Sequence, residues 1–264
     1  MKKSTVTPVT MILLSAFITA CGGGGGDGDV GAGGTQQSPP PPAPTAEGVY
    51  GGTLTGSVAA NFEALVLENG DFWAIYGQDS GSIFSVYGFI QGQGTSNNGS
   101  FTAASVKDFG FVPPPTGTLT STYNSTAKTI SGTVTYTSGT VQFSGGPIPG
   151  SLYDYNAAAS LSAISGSWAT VSTSGGSVMV NVSANGAVTT SEGGCSGSGT
   201  ITPRASGKNV FNVSLTFGAA PCVLPGQTVT GIAIVYPLST GQTQLIGAVT
   251  NSSRTAGVAI FGIR

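Results

Sequence analysis

Residues 61–77 read NFEALVLENGDFWAIYG and residues 177–193 read SVMVNVSANGAVTTSEG, each with an Asn-Gly pair at the same point between two short runs. Asn-Gly is the preferred two-residue hairpin turn, because both of its central residues must take positive φ. Two hairpins built to one plan therefore constrain the fold more than any other feature. Further matches keep the same order. GQGT at 92–95 answers GSGT at 197–200, TISGTVTY at 129–136 answers TVTGIAIVY at 228–236, and Gly48-Val49-Tyr50 stands where Gly166-Ser167-Trp168 stands. The chain reads as two tandem units, 48–163 and 164–264.

Beyond Gly48 no window has a helical period, and short Val, Ile, Phe and Thr runs alternate with glycine or asparagine turns. The fold class is all-β. In residues 210–217, Phe211, Val213, Leu215 and Phe217 share one face while Asn212, Ser214 and Thr216 share the other, which predicts a strand with one buried and one wet side. Each unit offers about eight short strands, enough to close on themselves and abolish exposed edges. Two small antiparallel meander barrels are expected, with a pair of β-sandwiches as the alternative. A porin-like barrel ranks third, since a spanning strand needs about 9–11 residues.

The start of the chain has a different character. Met1-Lys2-Lys3 leads into a mostly apolar run, VTMILLSAFITA, that ends at Cys21, as a secretory signal does. Ile18-Thr19-Ala20-Cys21 resembles the lipobox of bacterial lipoproteins. That resemblance implies cleavage after residue 20, acyl chains such as palmitate on Cys21 as the lipid attachment, and a lipid-anchored place at the outer membrane, Gly22 fitting that sorting. More than one acyl chain suffices to hold a soluble domain at a membrane. Residues 21–47 then form a disordered tether, first glycine-rich coil and then the stiffer SPPPPAP segment. The tandem barrels also resemble, in arrangement alone, surface receptor lipoproteins of the transferrin-binding protein B type. None of that family's motifs occurs, and no iron-related role follows.

Composition excludes several functions. Loss of the leader leaves six of eight basic side chains against ten acidic ones, too few to neutralise a phosphate backbone, so no nucleic acid is expected as a partner. The chain contains no histidine, which removes imidazole bases and metal ligands, and no cofactor or metal is expected. Cys195 and Cys222, in an exported chain, are expected to form a disulfide. Their alternative is a pair of free thiols or metal ligands. Ser125 and Lys128 fit the S-x-x-K of penicillin-recognising serine enzymes, but the companion motifs are missing and the segment reads as a hairpin tip. Glu63, Glu68 and Asp71 could serve glycosidase chemistry, yet Glu68 and Asp71 would flank an exposed turn. Asp27 and Asp29 lack the remaining ligands of a calcium loop.

The first hairpin is apolar on both sides. Strict alternation around a two-residue turn puts Phe62, Ala64, Val66, Trp73 and Ile75 on one face and Leu65, Leu67, Phe72, Ala74 and Tyr76 on the other. Its counterpart has Val178, Val180 and Val182 inside and Asn181 and Ser183 outside. Leu65, Leu67, Phe72 and Tyr76, with Phe109 and Phe111 of the proline-rich loop at 109–115, therefore form a face for a protein partner, or one that packs on the second unit or on that loop. Trp73, Trp168, Tyr50 and Tyr236 read as core fillers. The expected function is a non-enzymatic outer-membrane lipoprotein with a binding or structural role in the cell envelope. The alternative is a lipocalin-like carrier, for which a dry cavity above about 300 Å³ would be the sign.

Overall fold

A computed structural model describes residues 43–56, 59–80, 83–148 and 151–264; the signal segment and Cys21 lie outside these. The first unit comprises β1 (Gly48–Gly56), β2 (Ala60–Val66), β3 (Asp71–Ser80), β4 (Ile83–Gln93), β5 (Thr95–Asn97), β6 (Ser100–Asp108), β7 (Thr116–Asn124), β8 (Thr129–Tyr136) and β9 (Gly139–Gly146). A short helix, α1 (Leu161–Ile164), leads into the second unit. There follow β10 (Gly166–Ser172), β11 (Ser177–Val182), β12 (Ala187–Glu192), β13 (Cys195–Pro203), β14 (Phe211–Phe217), β15 (Thr228–Pro237), β16 (Thr243–Asn251) and β17 (Gly257–Ile263).

Both units are closed eight-stranded antiparallel barrels, not sandwiches. In the first, β5 continues β4 beyond Gly94, and closure comes from β4 on β6 and β1 on β9. In the second, Thr170, Val171 and Ser172 of β10 pair with Gly262, Phe261 and Ile260 of β17. Small barrels require strands to bend sharply, and glycine marks such bends because it has no Cβ to strike the neighbouring strand. A Cβ on Gly52 would run into the Ser144 carbonyl, and one on Gly199 into that of Ser214.

The two units are sealed alike at one end. Tyr50, fully buried, donates its hydroxyl to the Ala46 carbonyl at 2.7 Å, and Trp168 donates Nε1 to the Ile164 carbonyl at 2.7 Å, each reaching four residues back. Arg264 stacks on the Trp168 ring at 3.9 Å and donates to the carbonyls of Ser165 and Ala163. A planar guanidinium can satisfy two carbonyls while its face covers an aromatic ring.

The barrels pack side against side within one compact unit. Ile75, Phe84, Val86, Phe89 and Phe109 of the first meet Tyr236, Ile246, Ala248 and Ala259 of the second, while Leu65 and Leu67 meet Val210 and Ile232 beside Tyr155 of the connecting segment. β16 is consequently buried on both faces along nearly its whole length. Ion pairs flank the seam, Arg204 with Glu68 at 2.7 Å and Lys208 with Glu47 at 3.0 Å.

One expectation from alternation fails, and the turn is the reason. Gly70 and Gly186 take positive φ, 84° and 82°, but Asn69 and Asn185 do not. Leu67 and Asp71 face each other, with Leu67 N–H bonded to the Asp71 carbonyl at 2.8 Å, so the loop has three residues and ends on a left-handed glycine. One extra residue in the turn reverses the faces of the returning strand. Val66 therefore pairs with Phe72, Ala64 with Ala74 and Phe62 with Tyr76, all inside the barrel, while Leu65 pairs with Trp73 outside.

Candidate functional cavity

The two barrels differ in what fills them. Inward positions of the first carry aromatic rings, with Phe62 edge-on to Phe143 at 5.9 Å and Phe72 edge-on to Phe101 at 5.7 Å. Its glycines make room for those rings: a Cβ on Gly92 or Gly145 would overlap Phe72 or Phe62. Interiors packed in this way reach the density of organic crystals. In the second barrel the positions equivalent to those rings hold side chains without rings. The hairpin alignment sets Val178 against Phe62, Val188 against Phe72, Thr190 against Ala74 and Glu192 against Tyr76. Gly247, which faces inward beside Ala233 and Ile260, has no covering ring; the nearest atom to a Cβ there is an Ile260 carbon at 3.4 Å.

Removing rings while keeping eight strands leaves space. A cavity of about 530 Å³ occupies the second barrel, walled by Val178, Val180, Val188, Ile201, Leu215, Leu245, Val249 and Ile260. Trp168, Phe211 and Ile164 belong to the same apolar cluster as these walls and lie by the strand ends opposite the β10–β11 and β14–β15 turns. At the mouth stand Thr173 and Ser174 of the β10–β11 turn, Glu192 and Gly193 at the end of β12, Cys195, and Pro221, Val223 and Leu224 of the β14–β15 loop. The first barrel completes the rim with Tyr87, Phe109, Gly110 and Val112. Val112 and Val223 are 100% and 89% exposed, so this rim presents apolar side chains to solvent.

Cys195 and Cys222 form the disulfide, which ties the rim loop of residues 218–227 to the start of β13. A backbone bond from Gly218 N–H to the Ser196 carbonyl at 2.7 Å holds the same loop. The mouth is thus framed by cross-linked backbone on one side and by the proline-rich 109–115 loop on the other.

Other residues singled out from sequence scatter. Leu65 and Leu67 lie between the barrels, where the space left beside Val49, Trp73, Ile234 and Tyr236 is only about 50 Å³. Phe72 and Tyr76 do not join them; both are inside the first barrel for the reason of register given above. Phe109 stacks on Phe89 at 4.7 Å against the second barrel, and Phe111 is 54% exposed on the loop. Glu68 does not oppose Asp71 but reaches Arg204, and Lys128 donates to the Glu47 carbonyl at 3.1 Å. Among the described residues no three His, Cys, Asp or Glu side chains cluster as metal ligands.

Alternation did not single out the cavity. The available signal was volume: the repeat itself sets valines of the second unit against phenylalanines of the first. Comparison with protein-family models, curated proteins and solved structures finds no match. Fold and site define a tandem pair of up-and-down barrels, one filled and one hollow.

Proposed function

We propose that this chain is a non-enzymatic binding protein, lipid-tethered at the bacterial outer membrane, whose second barrel takes up one small apolar molecule. The cavity carries the reading. Its volume falls in the roughly 300–1,000 Å³ range of sites that enclose small molecules, and eight-stranded barrels are wide enough to hold one. More than half of the lining residues are aliphatic, and the polar side chains among them, such as Thr173, Ser174 and Glu192, stand toward the mouth. Transfer of apolar surface from water into such a wall is favourable by about 25 cal/mol per Å². The collar of Tyr87, Val112 and Val223 offers an apolar approach to the mouth. Acylation of Cys21 and outer-membrane anchoring rest on the lipobox resemblance, and the non-enzymatic reading on the absence of histidine.

The test is titration with the neutral fluorophore N-phenylnaphthylamine. Wild-type protein should bind it saturably at one site with a blue shift. Gly247→Val, whose new methyls point into the cavity without backbone strain, should keep its melting temperature and weaken binding by about tenfold or more. Absence of saturable binding by the wild type, or equal binding by the variant, removes the cavity as the site.

A further inference from the structure

Among the described residues, charge in the cavity lining occurs at a single place: Glu192, the last residue of β12, is half-buried at the mouth and is the one Asp, Glu, Lys or Arg side chain of these residues that lines the space. It follows Val188 and Thr190 on the inward face, so the wall runs from aliphatic to hydroxyl to carboxylate toward the opening. The Ser172 and Ser174 hydroxyls stand 3.1 and 3.4 Å from Glu192 Oε1 and 2.6 Å from each other. Both approach the same oxygen, and two hydroxyls supply two protons at most. Oε2 has no protein hydrogen-bond donor among the described residues.

A carboxylate at the rim of an apolar cavity, half supplied with donors, favours a ligand that brings a donor and a positive charge. A neutral hydrocarbon entering here would strip water from Oε2 and return nothing, which is costly for an ionised group. A carboxylate-headed ligand would place like charges together in a site of reduced dielectric. An ammonium head would replace the lost water with a charge-assisted bond while its chain fills the barrel.

Resting on the cavity as the binding site, we propose that the ligand of the second barrel is a cationic amphiphile: one alkyl or similar apolar body inside the barrel and an amine-type head on Glu192. The neighbouring Ser172 and Ser174 position the carboxylate, and Thr190 marks the depth at which the apolar part begins.

The experiment is displacement of N-phenylnaphthylamine by three probes of equal chain length, decylamine, decanol and decanoate, each below its micellar concentration. In the wild type, decylamine should displace the fluorophore at a concentration about tenfold or more below that of decanol, with decanoate weakest, and added salt should narrow the gap. Glu192→Gln should bring decylamine level with decanol through loss of decylamine affinity, while the neutral fluorophore, no longer stripping water from a carboxylate, binds at least as tightly as to the wild type. Glu192→Lys should move decanoate to first place, which keeps the test decisive even if the Gln variant disturbs the β10–β11 turn. If all three probes displace equally in the wild type, or decanoate leads, the cavity stands and the head-group assignment falls. If neither fluorophore nor probes bind, both fall together.

Discussion

Asp108 sits inside the first barrel, 6% exposed, accepting bonds from the Tyr76 hydroxyl at 2.8 Å and the Gly110 N–H at 2.9 Å. Burial raises its pKa above the ordinary carboxylate value, and the two hydrogen bonds offset only part of that rise. Between the unfolded and the raised folded pKa the native state holds the extra proton, so this group's contribution to stability declines as pH rises through that window. Thermal melts from acid to neutral pH should show the wild type losing stability relative to Asp108→Asn across the window, with the two parallel above it. A pH-independent difference would mean that Asp108 titrates normally. Nothing in the sequence around VKDFG signals this burial, because a lone aspartate at a strand end is ordinarily a solvated turn residue. It becomes an interior group only because Tyr76 arrives from β3.

At the scale of elements, a turn and a cross-link show what patterning conveys. Period-two runs and Asn-Gly pairs located the hairpins, but not whether two or three residues form the loop. Gly70 and Gly186 accept the left-handed conformation in either case, whereas parity decides which side of β3 faces the core. Leu65 and Leu67 were legible as apolar surface needing cover; Phe72 and Tyr76 were not legible as core. The Cys195–Cys222 pairing was readable from the two cysteines left in an exported chain once Cys21 is set aside as the acylation site, but its place at the cavity rim was not. Its bond closes a separation of 27 residues, which on the chain-entropy model contributes about 3–4 kcal/mol. The double variant Cys195→Ser/Cys222→Ser should lose stability of that order in urea titrations, with reductant having no further effect. Binding of the fluorophore should weaken as well, since the freed loop carries Pro221, Val223 and Leu224 of the mouth. Unchanged stability would mean that the loop is held by backbone bonds such as Gly218 to Ser196 alone.

For the whole molecule, the barrels divide the work: the first is filled with aromatic side chains, covers one wall of the second, and lends Tyr87, Phe109 and Val112 to its mouth. If Cys21 anchors this pair, Cys21→Ser should move the protein from the membrane to the soluble fraction while fluorophore binding persists. Retention in the membrane fraction would show that something other than an acyl chain holds it. The all-β class, the duplication and the strand alternation were determined by the sequence alone, because they follow from local spacing and from turn chemistry within a few residues. Barrel closure, the inward turn of Phe72 and Tyr76, the burial of Leu65 and Leu67 between units, and the cavity were decided only in the tertiary structure. Each depends on how far apart residues from distant strands end up, and on whether the side chains meeting there are large enough to fill the space between them.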